Sequence, residues 1–125
     1  MHASASSTNN VLWAGGGVTS DDVLIGGSGN DRLVAGPGAD TLTGGGGSNG
    51  FILINGLDGG SVVVTDFNSS DSADLLGYGV GAANAALQSA QSAGGNTTIT
   101  LSDNTQITFL GVSTAGALQG HLFSS

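Results

Sequence analysis

Asp22, Asp31, Asp40 and Asn49 recur at nine-residue intervals, and a large apolar residue follows two places after each: Leu24, Leu33, Leu42 and Phe51. Gly-rich stretches precede the last three of these pairs, at Gly26-Gly27-Ser28-Gly29, Ala35-Gly36-Pro37-Gly38 and Gly44 to Gly47. Carboxylates beside carbonyls left bare by tight turns form a set of hard oxygen donors, whose natural ligand is a divalent cation. A blander reading is that the Asp residues simply keep the surface soluble. Other chemistry finds little support. His2 and His121 stand in no motif that would activate a hydroxyl, and the paired carboxylates are better explained as cation ligands than as an acid–base pair. Gly45, Gly47 and Gly50 have the spacing of a dinucleotide fingerprint, but Phe51-Ile52-Leu53-Ile54 follows as a strand, not a helix start. There is no Lys for a phosphate loop and no Cys for a disulfide or thiolate site. The expectation is a protein that is not an enzyme.

The elements that must hold these residues follow from the same frame. All nine acidic residues are Asp, and Arg32 is the single Lys or Arg. Such a chain has few of the residues that usually cover helix surfaces, and many that form turns and strands. The class expected is all-β. The last three residues of each nonapeptide read as a short strand with its middle side chain inward. Leu24, Leu33, Leu42 and Phe51 then stack as a core column, while Arg32 and Thr41 face water. The six residues before each strand need unusual dihedrals and close backbone approach, which Gly permits.

Residues 26 to 34 read Gly-Gly-Ser-Gly-Asn-Asp-Arg-Leu-Val, 35 to 43 Ala-Gly-Pro-Gly-Ala-Asp-Thr-Leu-Thr, and 44 to 52 Gly-Gly-Gly-Gly-Ser-Asn-Gly-Phe-Ile. Residues 17 to 25, Gly-Val-Thr-Ser-Asp-Asp-Val-Leu-Ile, are a degenerate copy. This run resembles the RTX repeat, Gly-Gly-x-Gly-x-Asp-x-U-x with U large and apolar, a calcium-binding β-helix signature. The resemblance implies a parallel β-roll (the RTX β-helix or solenoid), with two nonapeptides per coil and calcium between turns eighteen residues apart. Carried onto this chain, it pairs Asp31 with Asn49, with carbonyls of Gly27, Gly29, Gly44, Gly45 and Gly47. It pairs Asp22 with Asp40, with Ala35, Gly36 and Gly38. A third implied site joins Asp40 to Asp58, with Gly56 keeping the frame. Asn49 departs from the pattern by removing a charge, and Val18 and Ser20 by replacing turn glycines.

Four nonapeptides make two coils, too few to stand alone, so the rest of the chain is expected to continue and cap them. Val62 to Phe67 reads as a buried strand, and Asp71, Asp74 and Leu75-Leu76 follow a polar turn. Thr97 to Leu101 and Gln106 to Gly111 read as a capping hairpin around Ser102 to Thr105. Val80 to Ala93 reads as one short helix stopping at Gly94-Gly95. Thr65-Asp66-Phe67, Asp71 to Leu76 and Thr105 to Val112 also resemble, in order, the segment after the repeats in secreted RTX proteases, lipases and alginate epimerases. In that family this region carries the uncleaved address for type I secretion, which implies the secretion apparatus as a partner. The division expected is 1–16 as an N-terminal segment able to serve as an edge or assembly strand, 17–61 as the calcium-binding roll, and 62–125 as the β cap with a secretion-signal-like tail.

A net charge of −8 excludes nucleic acid, whose phosphates need Lys and Arg, and disfavours anionic membranes. No apolar run is long enough for membrane insertion, and residues 1–17 lack the features of an ordinary secretory signal. Without calcium, Asp repulsion and Gly entropy should keep the chain loose; calcium outside the cell should fold it. With Met1 opening the chain and no catalytic segment before the repeats, the expectation is a secreted, extracellular or cell-surface structural protein. It would self-assemble head to tail as a filament, matrix or surface layer. Asn10 to Ala14, with Trp13, either caps its own roll or lies on a neighbour's edge. The alternatives are the export and folding module of a larger exoenzyme and a calcium-dependent polysaccharide-binding module.

Overall fold

The computed structural model describes residues 2–4, 9–14, 21–36, 38–55 and 60–125. Its strands are three to five residues long because Gly-rich and polar turns interrupt every apolar stretch. One sheet is formed, in spatial order, by β1 (His2–Ser4), β3 (Val23–Ile25), β5 (Ala39–Thr43), β7 (Ser61–Val64), β11 (Gln106–Phe109), β10 (Asn96–Thr100) and β9 (Gln91–Ala93). The other holds β12 (Leu122–Ser124), β8 (Ser72–Leu76), β6 (Gly50–Ile54), β4 (Arg32–Val34) and β2 (Val11–Trp13). Up to β8, successive strands alternate between the sheets and pair in parallel with the strand two places earlier. Among the described residues only β10 pairs antiparallel, with β11 and β9. The fold is all-β, with one short helix, α1 (Ala82–Gln88), and a 3₁₀ turn at Ala115–Leu118.

Alternation between sheets divides the expected core column in two. Leu24, Leu42, Val64 and Phe109 stand in register in the larger sheet. Leu12, Leu33, Phe51, Ala73 and Leu122 do so in the smaller one. Both columns are buried in a single core, where Phe67 meets Phe109 edge-on with centroids 5.0 Å apart. Of the residues expected to face water, Arg32 is exposed and Thr41 half-buried, whereas Val34 and Ile52, also on the outer side, are buried in register with Trp13.

The register carries a change of period. Val23 lies opposite Thr41 and Arg32 opposite Gly50, eighteen residues on in each case. Below, Val11 lies opposite Arg32; above, Ala39 lies opposite Ser61 and Gly50 opposite Ser72, with intervals of 21 and 22 residues. The strands keep stacking while the turns between them lengthen.

The hairpin of β10 and β11 stands where the sequence puts it. The helix is shorter than expected. It ends at Gln88, with Ser89 Oγ donating to the Ala86 carbonyl at 2.9 Å, and Val80 lies outside it, 91% exposed. Gly94 and Gly95, both at positive φ, make a two-residue hairpin turn that folds Gln91–Ala93 back onto β10. Two positive-φ residues in succession match the twist of a tight hairpin, so the Gly pair reverses a strand and does not end a helix.

Candidate metal centre

Each turn delivers an Asp or Asn to the start of the following strand, and on one side of the stack these residues form a ladder. The Asn10 backbone N–H and side-chain amide donate to Asp31 Oδ1 at 2.9 and 3.0 Å. The Asp31 N–H donates to Asn49 Oδ1 at 2.9 Å, and the Asn49 N–H to Asp71 Oδ1 at 2.8 Å. Asp31, Asn49 and Asp71 are all buried. Parallel stacking brings equivalent positions of successive coils together, so each side-chain oxygen meets the peptide of the coil below. Burial raises the Asp71 carboxyl above its ordinary value, opposed by the N–H groups of Asn49 and Asn68.

The glycines in front of this ladder lie turn upon turn. Gly45 and Gly47 have positive φ, and a Cβ on either would collide with the carbonyl oxygen of Gly27 or Gly29 below. Asp66 fastens the upper turn, accepting from the Gly44 and Gly45 N–H groups at 2.9 and 2.7 Å. The sequence-expected set of Gly27, Gly29, Asp31, Gly44, Gly45, Gly47 and Asn49 thus occupies one stacked pair of turns. Its decisive feature is Asp31 Oδ2, a buried oxygen with no hydrogen-bond partner among the described residues. A Cβ built on Gly26 would lie 2.5 Å from this oxygen and 2.6 Å from the Gly44 carbonyl, so the two oxygens share the cradle that Gly26 leaves open.

On the opposite side, Asp22 and Asp40 lie one coil apart. The Asp22 N–H donates to Asp40 Oδ1 at 3.2 Å, and the Gly36 N–H to Asp40 Oδ2 at 3.0 Å. Both carboxylates are 1% exposed. Burial pushes the Asp40 carboxyl up from 3.8 to about 6, and the charges of Asp22 and Asp21 push the same way, against the two N–H donors. Ala35, Gly36 and Gly38 precede Asp40 on this side, and Gly36 packs so closely on the Ala14 carbonyl that no side chain fits. Gly56 and Asp58 lie outside the described residues. Asp40 itself stands opposite Val62, 22 residues on, not 18.

Asn10, Asp66 and Asp71 belong to these turns, but a nine-residue frame does not find them. A shorter signal finds Asn10 and Asp71: Asn10-Val-Leu, Asp22-Val-Leu, Asp31-Arg-Leu, Asp40-Thr-Leu, Asn49-Gly-Phe and Asp71-Ser-Ala all read Asx, any residue, apolar.

An ion here would be held by hard oxygens alone. The Asp31 carboxylate, Asn49 and the carbonyls of Gly27, Gly29, Gly44, Gly45 and Gly47 would serve one side, and Asp22, Asp40 and the carbonyls of Ala35, Gly36 and Gly38 the other. Among the described residues no three His, Cys, Asp or Glu side chains converge, so backbone oxygens must provide most of the coordination. That donor set fits calcium, whose flexible shell of six to eight oxygens accepts carbonyls, and bound charge would compensate the buried Asp31 oxygen. A search of the curated proteins gives no match. Residues 16–51 match the family model of the RTX calcium-binding nonapeptide repeat, in four copies. The chain therefore carries RTX calcium-binding repeats, and calcium is the ion they take.

Proposed function

We propose that this protein is a secreted, non-enzymatic structural protein whose parallel β-roll folds on extracellular calcium and then assembles with further copies. The observation that carries this reading is the buried, unpartnered Asp31 Oδ2 within a stacked ladder of Asp and Asn. In the metal-free chain that oxygen and the close Asp22–Asp40 pair oppose compaction; bound calcium turns both into attractions, so metal-binding energy becomes folding energy. Low calcium inside a cell would leave the chain extended enough for export, and type I secretion suits a chain whose folding waits for calcium. No helix among the described residues is long and apolar enough to cross a membrane.

The test is circular dichroism with light scattering as calcium rises from chelator to about 10 mM, above the range typical of extracellular calcium modules. Strand signal and particle size rising together support the reading; a strand signal indifferent to calcium sinks it. A second reading, the export and folding module of a larger exoenzyme, draws on the continuity of β7, β8, β11 and β12 with the repeat strands. It predicts a calcium-folded monomer that assists the folding of an attached domain.

A further inference from the structure

The two ends of the strand stack are finished differently. At the C-terminal end of the smaller sheet, α1 packs against β12: the Ala83 N–H donates to Ser124 Oγ at 3.0 Å, and Ser124 Oγ donates to the Val80 carbonyl at 3.1 Å. At the other end β2 is the outermost strand, and no described strand or helix pairs beyond it. Its ladder to β4 engages the Asn10 carbonyl, which accepts from the Arg32 N–H at 2.8 Å, and the Ala14 N–H, which donates to the Val34 carbonyl at 2.8 Å. Peptide groups alternate in direction along a strand, so those of Val11 and Trp13 point away from β4, along the open edge. Both side chains are exposed, Val11 at 60% and Trp13 at 57%, while Leu12 between them reaches the core.

Protein edges are usually guarded by charge or Pro against pairing with another chain. This one has neither. Residues 3–20 carry no charged side chain, in a chain whose net charge is −8. A second copy approaching among the Asp-bearing turns meets like charge; β2 itself carries none.

We propose that β2 is a homodimerisation edge, at which two copies of this chain join by antiparallel pairing of β2 with β2 about a two-fold axis through Leu12. The proposal rests on the calcium-folded structural reading above and replaces open head-to-tail stacking with a closed contact. Centred on Leu12, the pairing sets Val11 of each copy opposite Trp13 of the other. Both N–H and C=O groups of both residues then find partners, because directly opposed residues of an antiparallel pair exchange two hydrogen bonds. The same register makes two aliphatic-on-aromatic pairs, a favourable cross-strand combination. It also lays Leu12 beside its own copy, continuing the column of Leu12, Leu33 and Phe51. A two-fold contact uses one patch twice and stops at the dimer.

The experiment compares mass by light scattering and strand content by circular dichroism in saturating calcium, for the parent chain, Val11→Lys, Trp13→Lys and Phe123→Lys. Phe123 is also exposed, but on β12 at the other end. The expected result is a doubled mass for the parent and Phe123→Lys, and a single-chain mass with the parent's strand signal for the two β2 variants. Val11→Cys, the only thiol in an otherwise Cys-free chain, should also give covalent dimers with a short bis-maleimide, because only a two-fold contact brings identical residues together. A parent that is strand-rich but monomeric overturns the dimer while leaving calcium-driven folding intact. Larger open-ended particles broken by Phe123→Lys overturn it in favour of head-to-tail stacking. A strand signal that never responds to calcium overturns the functional reading, and the dimer with it.

Discussion

Asp31 and Asn49 occupy equivalent rungs of one ladder, but only Asp31 holds a buried oxygen without a partner. Asn49 spends its side-chain amide on the carbonyls of Gly46 and Gly45, at 3.2 and 3.4 Å, and so contributes shape where Asp31 contributes charge. Asp31→Asn should therefore lower calcium affinity by at least about tenfold, the smaller loss that even an indirect partner of a metal produces. Calorimetric titration reads this directly; an unchanged affinity would remove Asp31 from the site. Asp40 carries the pH dependence. Its carboxyl is raised in the folded chain to about 6 from 3.8, so between those values the folded state holds more proton than the unfolded one. By linkage, this group's contribution to metal-free stability is present below about pH 4 and is lost as pH rises through about 6. Calcium needs the ionised form, so its affinity should fall as pH drops below about 6. Calcium titrations at pH 5 and pH 7.5 check the sign: weaker binding at the lower pH is expected, and equal binding would mean that Asp40 does not titrate against the ion.

At the scale of the turn, the same glycine type does two different jobs. Gly45 has φ of +83° and packs on the Gly27 carbonyl, whereas the nearest atom to a Cβ on Gly46 is Ser28 Cα at an ordinary 3.8 Å. Gly45→Ala should cost more than the roughly 1–2 kcal/mol of a left-handed residue, because the carbonyl beneath must also move. Gly46→Ala should stay within about 0.5 kcal/mol, as unencumbered surface changes do. Urea unfolding of both in calcium measures the difference; equal costs would mean that the turns do not stack closely. This contrast also explains how far the amino-acid sequence can be read. Where the turn is six residues long, Gly spacing and strand register agree, so the pairing of Asp22 with Asp40 and of Asp31 with Asn49 that the RTX resemblance implies is the one the strands make. Where the coil grows to 21 or 22 residues, backbone pairing still holds the register but the spacing no longer reports it. Asn10 and Asp71 are hidden for that reason, and Asp58 lies outside the described residues. Gly94-Gly95 misleads differently: a Gly pair ends a helix or turns a hairpin, and the open edge of β10, at a distance in sequence from the helix, decides between them.

For the whole molecule the question is whether its charge is balanced diffusely or at specific places. A net charge of −8 on 125 residues would be relieved by any salt if general repulsion alone kept the metal-free chain open, since screening acts within about 10 Å at 0.1 M and about 3 Å at 1 M. The buried Asp31 oxygen and the close Asp22–Asp40 pair are less accessible to screening. On the proposed reading they are matched by an ion that sheds its water and accepts carbonyl oxygens at adaptable distances. Calcium does so, whereas magnesium demands near-ideal octahedral geometry and gives up water reluctantly. The expected order of strand signal in the chelated protein is therefore a large gain with millimolar calcium, little with millimolar magnesium, and little with 1 M sodium chloride. Recovery in sodium chloride alone would mean that the Asp residues act only as a diffuse field, and the ladder would lose its role as a metal site. Recovery in calcium alone would locate the folding switch in the turns, where Asp oxygens and Gly carbonyls of successive coils meet.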